Sequence, residues 1–207
     1  MLEVQKKLKL LINKRQYYNS YFNRCINRYK KIENYISLYD DFYKSIDSVE
    51  TSEVINHSSK IFFGINLYDA VKQIDVPYRL KRNKKLCDII FYKTKIDSHK
   101  IIVELHFFKK KLIYFKYLFP AVMDSSKIVN RVKRKYVSKE IDFCSNSNLI
   151  VDLNNNYLKI ENEVSLTLNY YSLNFGFQNF LKEKQQLVDH RNSLKKEFGL
   201  KKFDEIV

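Results

Sequence analysis

Three side chains in the middle of the chain have types and spacing that could support metal-assisted chemistry. Asp88 opens a predicted strand, and Glu104 and His106 lie two residues apart on the next strand. Residues two apart on a strand share one face of the sheet. Carboxylates that converge on one ion can hold a divalent metal and activate a water molecule. This group is the one arrangement in the chain that could be catalytic, and the alternative is a chance pairing of charged strand residues.

The order of these residues is similar to a pattern found in metal-dependent nucleases. In that pattern an acidic residue precedes an acid-x-lysine pair in a hairpin, and Asp88 and Glu104-Leu105-His106 follow the same order. The resemblance covers residues 88–106 only, and His106 stands where those nucleases have lysine. It implies a divalent-metal-dependent nuclease centred on Asp88, Glu104 and His106.

A second candidate function depends on charge. The chain has 38 Lys and Arg against 23 Asp and Glu, and 18 of the basic residues but only 4 of the acidic ones fall between Arg79 and Lys139. Basic side chains neutralise phosphates, and exposed aromatic rings stack on bases. Aromatic residues such as Tyr92, Tyr117 and Tyr136 lie between the basic clusters. The predicted acidic-partner site consists of Arg79, Lys81, Arg82, Lys84, Lys85, Lys109, Lys110, Lys111, Arg131, Lys133, Arg134 and Lys135.

The partner of this basic segment is RNA or DNA in our preferred interpretation. An acidic protein surface and a merely solvated basic face are the alternatives. No zinc finger, aromatic RNP run or GxxG loop is present, so charge alone supports the nucleic-acid interpretation.

Cysteine usage and hydropathy bear on the compartment. Cys25, Cys87 and Cys144 are odd in number and far apart, which offers neither a disulfide framework nor metal-ligand spacing. The first residues contain no apolar core before a small-residue cleavage site, and no apolar run is long enough to span a bilayer. We expect a soluble, intracellular, cytoplasmic protein without a membrane span, a cofactor or a metal.

A seven-residue repeat runs through the N-terminal part of the chain. Thirteen positions at alternating four- and three-residue steps connect Val4 to Ile46, and only Arg15 among them is not apolar. Such a repeat predicts a single helix over residues 2–46, about 65 Å long, whose seam faces a partner helix. The partner is either within the chain or another chain. The predicted protein-interface residues on this seam are Tyr18, Phe22, Tyr29, Ile32, Ile36 and Tyr39.

The rest of the chain predicts a sheet with three further helices. Short helices are expected after Asn66, which suits an N-cap, and over residues 125–138, where Lys127, Arg131, Arg134 and Lys135 face outward. Strands are expected over residues 88–95, 100–108, 112–119, 149–153, 157–160 and 164–170, and a last helix over 177–198. The helix-then-hairpin order occurs twice, over residues 66–119 and 125–172.

These patterns predict an α+β protein. A long N-terminal helix (1–50) and a C-terminal helix (175–207) form a coiled-coil-like stalk beside a basic, mostly antiparallel sheet domain (60–174) with two short helices. The preferred function is a non-catalytic scaffold that contacts another protein or a second copy of itself through the stalk and nucleic acid through the sheet domain. The metal-dependent nuclease and an adaptor that binds only proteins are the two alternatives.

Overall fold

The structure, a computed structural model, describes residues 20–44, 48–83, 85–96, 99–137, 149–162 and 165–204. Its strands are β1 (Ser48–Thr51), β2 (Tyr78–Lys81), β3 (Cys87–Ile96), β4 (His99–Phe108), β5 (Lys111–Leu118), β6 (Leu149–Asp152), β7 (Asn156–Asn162) and β8 (Leu166–Ser172). They form one sheet in the order β1-β6-β7-β8-β5-β4-β3-β2. Every neighbouring pair is antiparallel except β1 and β6, which are parallel.

Helices cover both faces of this sheet. They are α1, helical over residues 20–28 of the described chain, then α2 (Ile32–Lys44), α3 (Leu67–Lys72), α4 (Ser125–Tyr136) and α5 (Phe177–Asp204). One face, called face A, packs against α3, α4 and the segment 52–66 through residues such as Leu67, Tyr136 and Ile55. The other, face B, packs against α1, α2 and the start of α5 through Cys25, Tyr35 and Phe177.

The predicted long N-terminal helix and coiled-coil stalk are wrong. In the described part of the chain, helix α1 stops at residue 28, a turn follows at residues 29–31, and α2 starts at Ile32. The segment then enters the sheet as β1 rather than extending away from it. The molecule is mainly a sheet domain with helices lying on it, and the first part of the predicted helix lies outside the described residues.

The interruption occurs without glycine or proline because other groups complete the helix end. The side-chain amide of Asn34 donates a hydrogen bond to the backbone carbonyl of Arg28, one of the acceptors left open where α1 ends. Tyr29 and Tyr35, on either side of the turn, both insert their rings against His106 of the sheet. Two short helices can follow the twisted sheet surface, whereas one straight helix would run past it.

The sheet is mixed because of β1, which the sequence analysis did not anticipate. Ser48–Thr51 falls where the long helix was expected to end, and its partner β6 begins a hundred residues later. A four-residue strand that pairs in parallel with such a distant strand gives no local signal beyond its single valine. This strand lies at the end of the segment 1–50, which was predicted to be a helix.

The predicted elements of the middle of the chain are confirmed. Asn66 is the N-cap of α3 and accepts a 3.0 Å hydrogen bond from the Tyr68 amide, and Asp124 caps α4 in the same way. The predicted strands correspond to β3–β8 within two residues at each end, and β2 was not predicted. The predicted turn between β3 and β4 includes residues outside the described part of the chain.

The two helix-then-hairpin units meet at the centre of the sheet. The unit that begins with α3 ends in β5, and the unit that begins with α4 ends in β8. These two last strands pair with each other from Tyr114–Tyr171 to Leu118–Thr167. Both α3 and α4 contribute to the core on face A, and a cavity separates part of this layer from the sheet.

Candidate nucleic-acid interface

Helix α4 presents basic residues on one side and apolar residues on the other. Asp124 accepts hydrogen bonds from the amides of Ser126 and Lys127 and so starts the helix. Ile128, Val132 and Tyr136 then recur at four-residue steps and pack against the core on face A. The same periodicity leaves Lys127, Arg131, Arg134 and Lys135 exposed.

A large cavity lies between α4, face A of the sheet and the segment 56–61. Its volume is about 1060 Å³, slightly above the range typical of small-molecule sites, roughly 300–1,000 Å³. Rings on or next to β3, β5, β8 and α4 line it, together with one ring of the segment 56–61 and aliphatic side chains. These rings belong to His57, Tyr92, Tyr117, Phe119, Tyr136 and Tyr170. We call this space the α4 cavity.

The exposed cations of α4 lie at the edge of this cavity. Lys127, Arg131, Arg134 and Lys135 all contribute to its lining. Lys127 forms an exposed ion pair of 3.5 Å with Asp124, and Lys135 donates to the Tyr136 hydroxyl at 2.9 Å. Asp75, on the segment after α3, adds one carboxylate to the lining. The cavity therefore combines an aromatic interior with a wall that carries four positive charges.

The paired rings of His57 and Tyr92 inside the cavity are neutral at physiological pH. Burial lowers the pKa of His57 to about 4. Burial, and then the Asp75 carboxylate, raise the pKa of Tyr92. The Tyr92 hydroxyl lies 2.6 Å from His57 Nε2, while His57 Nδ1 is buried without a hydrogen-bond partner. The interior thus offers neutral rings and hydroxyl groups rather than charge.

A second basic group surrounds Tyr68 at the start of α3. The Arg82 guanidinium carbon lies 5.6 Å and the Lys110 ammonium 5.2 Å from the centroid of this half-exposed ring. Arg82 also pairs with Asp88 at 2.9 Å. Lys109 and Lys110 form the β4–β5 turn with φ of +47° and +66°, a left-handed conformation that is uncommon for residues other than glycine. The backbone amide of Leu67 donates a 2.9 Å hydrogen bond to the backbone carbonyl of Lys110.

The other predicted basic residues do not join either group. Arg79 lies on face B, where its guanidinium carbon is 4.9 Å from the Phe22 ring centroid. Lys81 is two residues further along β2, on the same face as Arg79. Lys85 and Lys111 are exposed near strand ends, Lys133 lies outside the cavity lining, and Lys84 is outside the described residues. The predicted set is thus distributed over both faces of the sheet.

The candidate catalytic pair Glu104 and His106 is buried beneath α1 and α2. His106 Nε2 lies 3.3 Å from Glu104 Oε2, and the Tyr35 hydroxyl lies 2.7 Å from His106 Nδ1. The Tyr21 hydroxyl donates to Glu104 Oε1, and the Cys25 thiol lies 3.4 Å from the same oxygen. Both Glu104 and His106 are almost completely shielded from solvent, so the network joins α1 and α2 to the sheet.

This network keeps a carboxylate ionised inside the protein. Burial alone would raise the pKa of Glu104, but the hydrogen bond from His106 and the positive charge of Lys116 outweigh it and lower the pKa to about 2. Lys116 lies directly opposite Glu104 on β5. Burial lowers the pKa of His106, so its neutral ring donates through Nε2 and accepts from Tyr35 through Nδ1.

Asp88 does not converge with this pair. It lies opposite Phe107 in the β3–β4 ladder, whereas Glu104 and His106 lie opposite Phe91 and Ile89. Because side chains alternate along a strand, Asp88 projects from face A and the pair from face B. Among the residues that the structure describes, no three His, Cys, Asp or Glu side chains lie close enough to hold a metal ion. The geometry that the nuclease alternative requires is not formed by these three residues.

The predicted protein-interface residues that the structure describes pack inside the chain. Tyr29 and Tyr39 are buried in the core on face B, and Phe22, Ile32 and Ile36 are half-buried against it. Tyr18 is outside the described residues. The apolar seam of α1 and α2 therefore faces the protein's own sheet.

Most of the residues that line the α4 cavity were not among the predicted site residues, and Lys127 and His57 are two of them. Lys127 was on the predicted outward face of α4, and the helical spacing of four residues to Arg131 is the signal that could have added it. His57 looked like an isolated polar residue in a turn, and its contact with Tyr92 joins residues 35 positions apart. No sequence pattern connects such a pair.

Comparisons with known proteins add no further constraint. The chain matches no protein-family model, and neither the curated proteins nor the solved structures contain a significant match. None of the helices in the described part of the chain combines the length and apolarity needed to cross a membrane.

Proposed function

We propose that the protein is a non-catalytic nucleic-acid-binding protein and that the α4 cavity with its basic wall is the binding site. The observation that carries this proposal is the position of four α4 cations at the edge of one aromatic-lined cavity. Phosphates bind Lys and Arg through charge, and bases bind aromatic rings through stacking. Binding of nucleic acid by proteins without base-specific motifs commonly combines these two features.

The net charge supports the same assignment. At +15 the protein attracts polyanions over a distance of several ångströms, and this steering raises the association rate. Because basic residues concentrate on α4 and around Tyr68, the attraction of polyanions is strongest towards these two parts of the surface. Protein contacts through the N-terminal seam are not part of the proposal, because the described seam residues contact the sheet.

Charge reversal on α4 tests the proposal. In Arg131→Glu/Arg134→Glu, two phosphate contacts are lost and two repulsive charges replace them. We expect weaker binding to labelled single-stranded RNA and DNA, and a slope of log affinity against log salt that is smaller by roughly 1.4, at about 0.7 per phosphate contact. Fluorescence anisotropy across a salt series measures both quantities.

Lys31→Glu/Lys182→Glu is the matched control, since it changes the net charge equally at exposed positions on the α2 and α5 side of the sheet. We expect this variant to keep the wild-type slope and to lose little affinity. Equal losses in the two variants would indicate binding to overall charge and would contradict an α4 site. Absence of binding at low salt would refute the nucleic-acid proposal and favour an acidic protein as partner.

A cytoplasmic location belongs to the same proposal. Cys25 and Cys87 are both free thiols in the core on face B, as expected in a reducing compartment. Burial raises the pKa of both thiols, so they are unreactive in the folded protein.

A further inference from the structure

The dimensions and chemistry of the α4 cavity define the form of nucleic acid that would fit it. We infer that the cavity accepts a single unpaired base, with the adjoining phosphates on α4, so that the protein binds single strands in preference to duplexes. This inference depends on the proposed function and specifies its ligand.

Charge is distributed within the cavity in a way that orients a ligand. Four of the five lining cations lie on α4 and are exposed, and the fifth is the exposed Lys60 of the segment 56–61, whereas the interior rings of His57 and Tyr92 are neutral. A ligand that matches both the cations and the neutral rings has an anionic group at the edge of the cavity and an uncharged body in its interior. A nucleotide has this construction, since its phosphate is charged and its base is a neutral planar ring.

The polar groups in the interior favour a ring with a polar edge over an alkyl chain. Tyrosine hydroxyls and the side chains of Asn56, Thr94 and Asn130 contribute to the lining. The Tyr92, Tyr117 and Tyr136 hydroxyls already have partners within the protein. An alkyl chain would, however, leave the Asn56, Thr94 and Asn130 side chains without hydrogen-bond partners after water is displaced, which is unfavourable. A base can stack on tyrosine and also exchange hydrogen bonds through its edge.

The spacing of the cations fits several phosphates in succession. Lys127, Arg131 and Lys135 recur every four residues, which places them about 6 Å apart along the helix axis. Arg134 extends the same exposed side. A strand lying along α4 can therefore contact several phosphates while one base enters the cavity. In a duplex the bases are paired and stacked, and extruding one of them is costly.

The test compares two strands of equal length and charge on wild-type protein. One is a short oligodeoxyadenylate, and the other carries abasic sites throughout, so that only the bases are removed. We expect the abasic strand to bind about fivefold more weakly or worse, the loss of a single stacked base. Duplex DNA of the same length should also bind more weakly at equal ionic strength.

A cavity-filling variant locates the effect. Asn130 is exposed on α4 and lines the cavity, so Asn130→Trp introduces a bulky ring there without changing charge. Val122→Trp, at a residue that is 80% exposed and absent from the lining, is the control. We expect Asn130→Trp to bind the natural strand as weakly as wild-type protein binds the abasic strand, and its affinity for the abasic strand to be unchanged. Val122→Trp should bind both strands with wild-type affinity.

The outcomes separate this inference from the proposed function. Equal affinity for the natural and abasic strands, with an unchanged effect of α4 charge reversal, would refute the base pocket while nucleic-acid binding stands. Binding of adenosine monophosphate that Asn130→Trp abolishes, without binding of any strand, would support the pocket and refute the nucleic-acid function. Binding of dodecyl phosphate in place of any nucleotide would refute both.

Discussion

At the residue scale, the clearest feature is the buried chain of hydrogen bonds from Tyr35 through His106 and Glu104 to Tyr21. Each polar atom has a partner, and the Glu104 charge faces Lys116 across the β4–β5 ladder. Removing one member of a satisfied buried network leaves the other polar groups buried without partners. The free-energy cost of such unpaired groups usually exceeds the net stabilisation that the hydrogen bonds contribute to the folded protein. We therefore interpret Glu104 and His106 as residues that attach α1 and α2 to the sheet.

Glu104→Gln tests this interpretation through its pH dependence. The amide keeps the shape of the carboxyl group but presents a donor where only acceptors fit, so we expect a loss of about 1–3 kcal/mol in the free energy of unfolding at pH 7. The folded-state pKa of Glu104 is lowered to about 2. The stabilisation by the ionised group is therefore complete above the ordinary carboxyl pKa, and it is lost as the pH falls towards 2.

Urea unfolding at several pH values measures this difference, with Glu183→Gln at an exposed position of α5 as the control. We expect the stability difference between wild type and Glu104→Gln to shrink below about pH 4.5, the ordinary carboxyl value. A difference that stays constant down to pH 2, or no difference at pH 7, would contradict an ionised Glu104 in the network.

At the scale of single elements, α2 is the helix that packs against both the sheet and the start of α5. Tyr39 is buried, and its ring centroid lies 5.7 Å from that of Tyr171 on β8 and 5.4 Å from that of Phe177 at the start of α5. A helix that makes these contacts uses its apolar stripe for intrachain packing. The same stripe would be needed for a coiled coil, so the two arrangements exclude each other at α2.

Tyr39→Ala is expected to lower the free energy of unfolding by about 3–5 kcal/mol, because it removes a buried ring and leaves a cavity. Tyr39→Phe keeps the ring and removes the 3.5 Å contact of the hydroxyl with the Ser172 carbonyl, so its cost should be well below that of Tyr39→Ala, at about 1 kcal/mol. Chemical denaturation measures both. A small effect of Tyr39→Ala combined with a change in oligomeric mass would instead indicate that α2 faces another chain.

At the scale of the whole molecule, the sheet connects its two helix-then-hairpin units through the β5–β8 pair. Every residue of β8 is buried, and both β5 and β8 have a paired strand on each side. The edge strands β1 and β2 have only one neighbour each and are largely exposed. Resistance to opening should therefore be greatest at the centre and smallest at the edges.

Native-state hydrogen exchange checks this gradient. We expect the amides of β4, β5 and β8 to exchange most slowly, with protection close to the full free energy of unfolding, and those of β1 and β2 to exchange much faster. Slow exchange in one unit and fast exchange in the other would show that the two units open independently. Protection of β1 equal to that of β8 would contradict the edge position of β1.

The local elements of the middle of the chain could be predicted because their causes are local. Alternation in Ile101, Val103 and Leu105 depends on the two-residue period of a strand, and the Asn66 cap involves an amide two residues away. The three- and four-residue spacing of apolar residues from Cys25 to Tyr39, in contrast, is compatible with two different structures. Both a coiled-coil seam and short helices lying on a sheet bury the same positions.

The sequence by itself determined the strands β3–β8 and the short helices α3 and α4, the outward basic side of α4 and the concentration of positive charge between Arg79 and Lys139. Only the tertiary structure decided that α1 and α2 lie on the sheet, that β1 pairs with β6, and that Asp88 faces away from Glu104 and His106. It also decided that His57, Tyr92 and the α4 cations surround one cavity. The physical reason is that these relations join residues far apart in the chain, and packing of the whole sheet sets them rather than the backbone preferences of neighbouring residues.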